Sequence, residues 1–259
     1  MNIKSKLLLA LLATSSAAFA QTAPAAPEST LGYNVGVVSE YRYRGMGQGK
    51  GDPALQGGVD YAHSSGAYIG AWASTISWIK DYSTTATPIK GSTELDMYAG
   101  YKFEAAGVGF DVGYLRYEYL SNTLSKTGNY ANANTDEVYG AATYDVYTAK
   151  YSQSIGNLFG NKDSNGSTYI DLSATFDLGS GYSLVPHAGR QVVKGQTNNA
   201  GDYTDMALTL NKDFGEGLVG SVSAITVNAK DKNFYTNTTL SPSYYQGKDI
   251  LVVGVKYSF

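Results

Sequence analysis

Cysteine is absent from all 259 residues. That removes a disulfide framework, a thiolate metal site and a cysteine nucleophile together. Only two histidines are present, His63 and His187, too few for a histidine-built zinc site. Charge is sparse, at 16% of residues against about 25% in a typical soluble chain. Its balance of 19 basic and 22 acidic residues lacks the basic footprint of a general nucleic-acid binder. No apolar run after the first twenty residues approaches the roughly 18–20 that a membrane-spanning helix needs.

Tyrosine and glycine are abundant instead, with 23 Tyr against 8 Phe and 2 Trp, and 30 Gly. The first segment, MNIKSKLLLALLATSSAAFA, has the three parts of a secretory signal. Lys4 and Lys6 form the positive start, Leu7 to Ala13 the short apolar core, and Ala18-Phe19-Ala20 the cleavage site. The expected organisation is a Sec-type signal peptide over 1–20, a Pro/Ala-rich disordered lead-in over 21–30, and one folded unit over 31–259. Removing Lys4 and Lys6 leaves 17 basic against 22 acidic residues, a net of −5.

From Leu31 onward the hydrophobic period is two. Leu251, Val253, Val255, Tyr257 and Phe259 alternate with small or polar residues, as do Leu95, Met97, Ala99, Tyr101 and Phe103. Twelve such segments are predicted, near 32–44, 54–62, 67–79, 93–104, 107–119, 135–144, 146–155, 167–178, 182–193, 203–213, 217–229 and 248–259. Most exceed the usual ~5–6 residues of a globular strand and match the ~9–11 of a tilted strand crossing a bilayer. Short connections (HSSG, EAAG, GSGY, GEG) alternate with long ones along the whole chain. That rhythm predicts an all-β, antiparallel transmembrane β-barrel of about twelve strands, with short periplasmic turns and longer extracellular loops.

The expected site follows from parity. On 32–44, Tyr33, Tyr41 and Tyr43 share one face, and Glu40, Arg42 and Arg44 the other. The tyrosines are therefore expected at lipid and the arginines in the lumen, a split that argues against aromatic and basic groups gripping one nucleic acid. The expected pore-lining set is Glu40, Arg42, Arg44, Glu94, Asp96, Glu137, Asp171, Asp205, Lys102, Lys150 and Lys256. A mostly acidic wall of this kind predicts a weak preference for cations. Tyr33, Tyr41, Tyr43, Phe103, Tyr257 and Phe259 are expected among two aromatic girdles at the membrane interfaces, with Trp78, Tyr117 and Tyr119 at the long-loop end. On 107–119 the apolar parity slips, which predicts a β-bulge, and the facing of 67–79 stays open. The competing expectation is that the inward charges pair across the lumen and plug it, and an inward fold of the 120–134 or 230–247 loop would narrow it further.

SEYRYRGMGQ, PALQGGVDYAHSSGAYIGAW and the final GVKYSF resemble the TorF-like family of bacterial porins over essentially the whole mature chain. The resemblance implies an outer-membrane barrel and a pore, with no catalytic residue, metal or cofactor to carry over. The partners expected are outer-membrane lipid and lipopolysaccharide, small hydrophilic solutes, and the assembly machinery through the last strand ending at Phe259, with no nucleic acid. Two alternatives stay open. One is a plugged structural or adhesive barrel. The other is an outer-membrane hydrolase built on His187 with Ser173 and Asp171, although nothing in the sequence marks those three as a triad.

Overall fold

A computed structural model describes residues 28–259. The expected signal segment and most of the lead-in lie outside the described residues. Twelve antiparallel strands close into one barrel. They are β1 (Ser29–Val38), β2 (Ala54–His63), β3 (Ala67–Thr75), β4 (Thr93–Ala105), β5 (Val108–Tyr119) and β6 (Thr135–Tyr144). Then come β7 (Tyr147–Ser154), β8 (Thr168–Ala174, resuming as Phe176–Gly179), β9 (Tyr182–Val192), β10 (Tyr203–Gly215), β11 (Leu218–Ala229) and β12 (Ile250–Ser258). Each strand pairs with its neighbours in sequence, and β1 closes on β12 from Asn34↔Ser258 to Val38↔Gly254. Closure leaves no unpaired sheet edge, which a strand surrounded by hydrocarbon cannot tolerate.

Three short turns, Ala106-Gly107, Ser180-Gly181 and Glu216-Gly217, place two consecutive residues at positive φ. That twist matches the flanking strands and favours glycine at the second position. Gly217 has no substitute, because a Cβ there would run into the Ser258 carbonyl.

The alternation reads as expected on most strands. Leu31, Val35, Val37, Ile69, Met97, Val112, Leu172, Leu208, Val222 and Val253 are exposed on the outer surface. Register settles two open facings. On β3, Gly58↔Trp72↔Asp96 places Trp72 inside, with Ile69, Ala71 and Ala73 outside. On β5 the pairing runs unbroken from Glu94↔Tyr119 to Ala105↔Val108, so the expected bulge is absent. Leu115, Tyr117 and Tyr119 point inward and are buried, while Arg116 and Glu118 point outward. The apparent slip arose because the long-loop half of the lumen is packed as a dry core, where apolar residues belong on the inside.

Tyrosine–glycine pairs recur across the inner wall. The rings of Tyr98, Tyr68, Tyr139 and Tyr169 lie against Gly70, Gly100, Gly113 and Gly189 of adjacent strands. Each ring fills the space a glycine leaves, which supports the weakest backbone position in the sheet.

Candidate functional site in the barrel lumen

SEYRYRGM does not continue the first strand. β1 ends at Val38, and the chain turns into the lumen from Glu40 onward. Arg42–Tyr43 pairs with Met46–Gly47 as a minimal hairpin, with Arg44 (φ 47°) and Gly45 (φ 79°) at its tip. Gly45 is obligatory twice over. Its φ suits glycine, and a Cβ there would stand 2.6 Å from Val227 Cγ2 and 2.7 Å from Asp205 Cβ.

This hairpin spans the lumen. The Tyr41 hydroxyl donates to Glu94 on β4 at 2.7 Å, and its ring packs edge-on against Trp72 on β3. Tyr43 meets Tyr117 of β5 hydroxyl to hydroxyl. Arg44 donates to both Glu137 oxygens on β6, at 2.9 and 2.7 Å, and to Gln191 Oε1 on β9 at 3.0 Å. Its guanidinium lies over the Tyr169 ring of β8, 4.3 Å from the centroid. Met46 packs with Tyr203, Val227 and Ala229 of β10 and β11. Nearly the whole wall is touched.

The base of the hairpin is tied from above. Arg42 donates twice to Glu40, at 2.9 and 2.6 Å, and to the carbonyls of Gly45, Gln246 and Lys248. Glu40 also accepts the Gly51 N–H at 2.7 Å and the Tyr244 hydroxyl at 2.5 Å. Burial and that bond to Glu40 push the Tyr244 hydroxyl well above its ordinary value, so it keeps its proton and donates. The Gln48 carbonyl accepts the N–H groups of Ser77 and Trp78 from the loop after β3.

Sequence parity therefore misplaced Tyr41 and Tyr43. They are not at a lipid interface; Tyr41 is 6% exposed and both pack inside. Trp78 and Tyr119 meet edge to face in the same core. A two-residue hairpin alternates as a strand does, so its faces look identical in sequence, and only its partners reveal which way it turns. Tyr33, Phe103, Tyr257 and Phe259 are exposed on the outer surface at the short-turn end. At the long-loop end the outer surface carries polar groups instead, including the Arg116 link to Glu118 and Asp136. The segment that crosses the lumen is 39–53, and the 120–134 and 230–247 loops pack onto it through Leu124, Ala133, Tyr235 and Tyr245.

The remaining expected lumen residues divide into two zones. Glu94, Asp96, Glu137 and Asp205 face inward, but each is 4% exposed or less beneath the hairpin. Glu94 and Glu137 bond the hairpin, Asp205 accepts the Tyr169 hydroxyl, and Asp96 is buried beside them, so the four do not line an open ring. Asp171, Lys102, Lys150 and Lys256 face inward in the short-turn half and are partly exposed. Lys102 lies over the Tyr68 ring at 4.5 Å and Lys150 over the Tyr139 ring at 3.9 Å. Tyr98 donates to Asp60 at 2.5 Å and Tyr68 to Asp111 at 2.6 Å. This half is a polar vestibule closed above by the hairpin.

His187 sits between two carboxylates, with Nε2 2.7 Å from Asp171 and Nδ1 3.5 Å from Asp205. Ser173 lies directly across from His187 in the ladder. The imidazole is taken up by Asp171 and the Tyr169 hydroxyl at Nε2, and no hydrogen bond joins Ser173 to His187 among the described residues. Tyr169, Gln191, Tyr203 and Val227 escaped the sequence reading. The only signal for the first was a tyrosine whose ring covers Gly189, two positions along the neighbouring strand from its partner Gln191, which needs the register to be visible.

The fold compares with solved porins. The KdgM porin, solved in complex with disordered oligogalacturonate, superposes with a TM-score of 0.50 at 10% identity, covering 89% of this chain and 99% of that one. The NanC porin superposes with a TM-score of 0.51 at 9% identity, with the same coverages. At those identities the likeness is one of fold. A comparison with curated proteins finds no match. The family model described as "Bacterial protein of unknown function (Gcw_chp)" matches residues 21–259. The chain, a closed twelve-stranded barrel with a hairpin folded into its lumen, belongs to this Gcw_chp family.

Proposed function

We propose that this barrel is an outer-membrane channel for passive diffusion of small hydrophilic solutes, restricted by its own 39–53 hairpin. One observation carries the reading: a closed barrel, apolar outside, whose short-turn half is polar while the inserted hairpin and the loops packed on it fill the long-loop half. A barrel built only as a membrane-embedded scaffold has no need of a hydrated vestibule. The fold shared with KdgM and NanC, both porins, supports the reading, as does the resemblance to TorF-like porins. Export by a Sec signal, residence among lipopolysaccharide, and recognition of the final strand by the assembly machinery belong to the same proposal.

A second reading has its own support. Ile79, Leu124, Leu115 and Tyr117 are at most 1% exposed around the hairpin, a packing as dry as a soluble core. That favours a permanently plugged structural barrel. Single-channel recording of the refolded protein in a planar bilayer separates the two. The channel reading expects discrete unitary steps, made larger or more frequent when the hairpin is loosened by Arg44→Ala. A folded barrel silent in both forms establishes the plug.

A further inference from the structure

The lumen lysines and the lumen carboxylates are treated differently by the fold. In the vestibule, Asp60 accepts Tyr98, Asp111 accepts Tyr68, and Asp171 faces His187. Lys102, Lys150 and Lys256 have no carboxylate partner among the described residues; the first two rest on tyrosine faces. Nearest the hairpin these three lysines face these three aspartates, while Glu104, Asp177 and Asp213 share the inward parity at the short-turn rim, the last two already accepting the Gly179 and Gly215 N–H groups. Availability within the inner six is unequal. A carboxylate that already accepts a tyrosine hydroxyl or faces an imidazole has fewer lone pairs to offer a partly dehydrated cation. An ammonium on a ring face keeps its N–H donors directed to water.

The outer mouth tips the balance. Lys50, Lys80, Lys126, Lys162, Lys194 and Lys230 stand one in each of the six long loops, and three further lysines share the second and last of these. All nine are exposed, and none pairs with a carboxylate among the described residues. The same loops hold seven acids. Glu40 and Asp202 are buried against Arg42 and Arg190, which leaves five aspartates against nine lysines at the surface. The mouth is thus positive on a chain whose overall charge is negative. A field of that sign raises the local concentration of anions at the entrance.

Resting on the channel reading above, we infer that the solutes admitted are small organic anions bearing carboxylate or phosphate groups. The loop lysines gather them and the vestibule lysines hold them in transit. This reverses the cation preference that counting acidic wall residues suggests, because Glu94, Asp96, Glu137 and Asp205 are all buried, the first and third of them bonded to the hairpin, and do not face the solute.

The test is the reversal potential of the full-length mature protein in a planar bilayer under a KCl gradient, with its folded state shown by heat-modifiable gel migration. The expected sign is that of chloride, with chloride favoured over potassium roughly threefold, and citrate added from the loop side should block chloride current. Lys102→Gln, Lys150→Gln and Lys256→Gln combined should bring the ratio toward one. Lys256→Gln alone, the mildest change, should move it part of the way. Acylating the loop lysines of the assembled channel with a membrane-impermeant reagent should weaken anion preference most at low salt, where screening is least. Cation-directed reversal by the unmodified protein overturns this inference and leaves the channel standing. An unchanged ratio in the triple variant also overturns it. No unitary steps from a folded barrel, with or without Arg44→Ala, overturns the channel reading and the inference together.

Discussion

Arg44, at the tip of an inserted hairpin, makes a two-pronged ion pair with Glu137 on the far wall of the barrel, and their side chains are only 6% and 3% exposed. Two charges buried this deeply hold one another in place, and removing either strands the other. Arg44→Ala or Glu137→Ala should each cost about 3–5 kcal/mol of local stability. The double variant should cost less than the two singles combined, because neither charge is then left alone. Urea titration in lipid vesicles measures both, and additive losses would refute the coupling.

Both tryptophans of the chain report on this region. Trp72 packs on Tyr41, and Trp78 packs on Tyr119 in the same cluster. Arg44→Ala should therefore shift tryptophan emission to the red before any loss of β-sheet circular dichroism. Emission that changes only together with the sheet signal would mean that the hairpin and barrel unfold as one unit.

Gly45 fits only because it has no side chain. Gly45→Val would meet Val227 and Asp205 at less than van der Waals distance in a backbone conformation β-branched residues avoid. The expected result is a barrel that still folds, judged by heat-modifiable migration, with a displaced hairpin and higher solute flux in liposome swelling. Unchanged flux from that folded variant would count against the hairpin as the restriction.

The absence of cysteine makes a clean accessibility test. Lys256→Cys, in the partly exposed vestibule, should react with a hydrophilic maleimide added from the short-turn side. Ser152→Cys, on a side chain 3% exposed beneath the hairpin, should react at least about tenfold more slowly, as expected for a thiol in a packed interior. Arg44→Ala should narrow the gap.

Tyr139 lies over Gly113, and its removal should weaken the wall itself. Tyr139→Ala is expected to lower stability by about 3–5 kcal/mol, the usual range for a large buried aromatic. Tyr139→Phe keeps the ring over the glycine and should recover most of that loss, because only its contact with the Tyr68 hydroxyl disappears. Equal losses in the two variants would assign the effect to the hydroxyl.

The sequence by itself determined the barrel. Period-two alternation, strand length, and the rhythm of short and long connections are local properties, and each is set by residues a few positions apart. The outward faces of β1, β4 and β12 and the inward direction of Lys102, Lys150 and Lys256 were legible for that reason. The hairpin was not. Ser39 to Arg44 alternates as a continuing strand would, and its departure from the sheet depends on partners about 50 to more than 200 residues away: Glu94, Glu137, Gln191 and Gln246. Tyr117 and Tyr119 misled for the same reason. Where another segment fills the lumen, inside becomes the apolar side, and hydrophobicity no longer tells which face meets the membrane. Charge availability was likewise decided by tertiary structure, since a count of acids and lysines does not show which of them already has a partner.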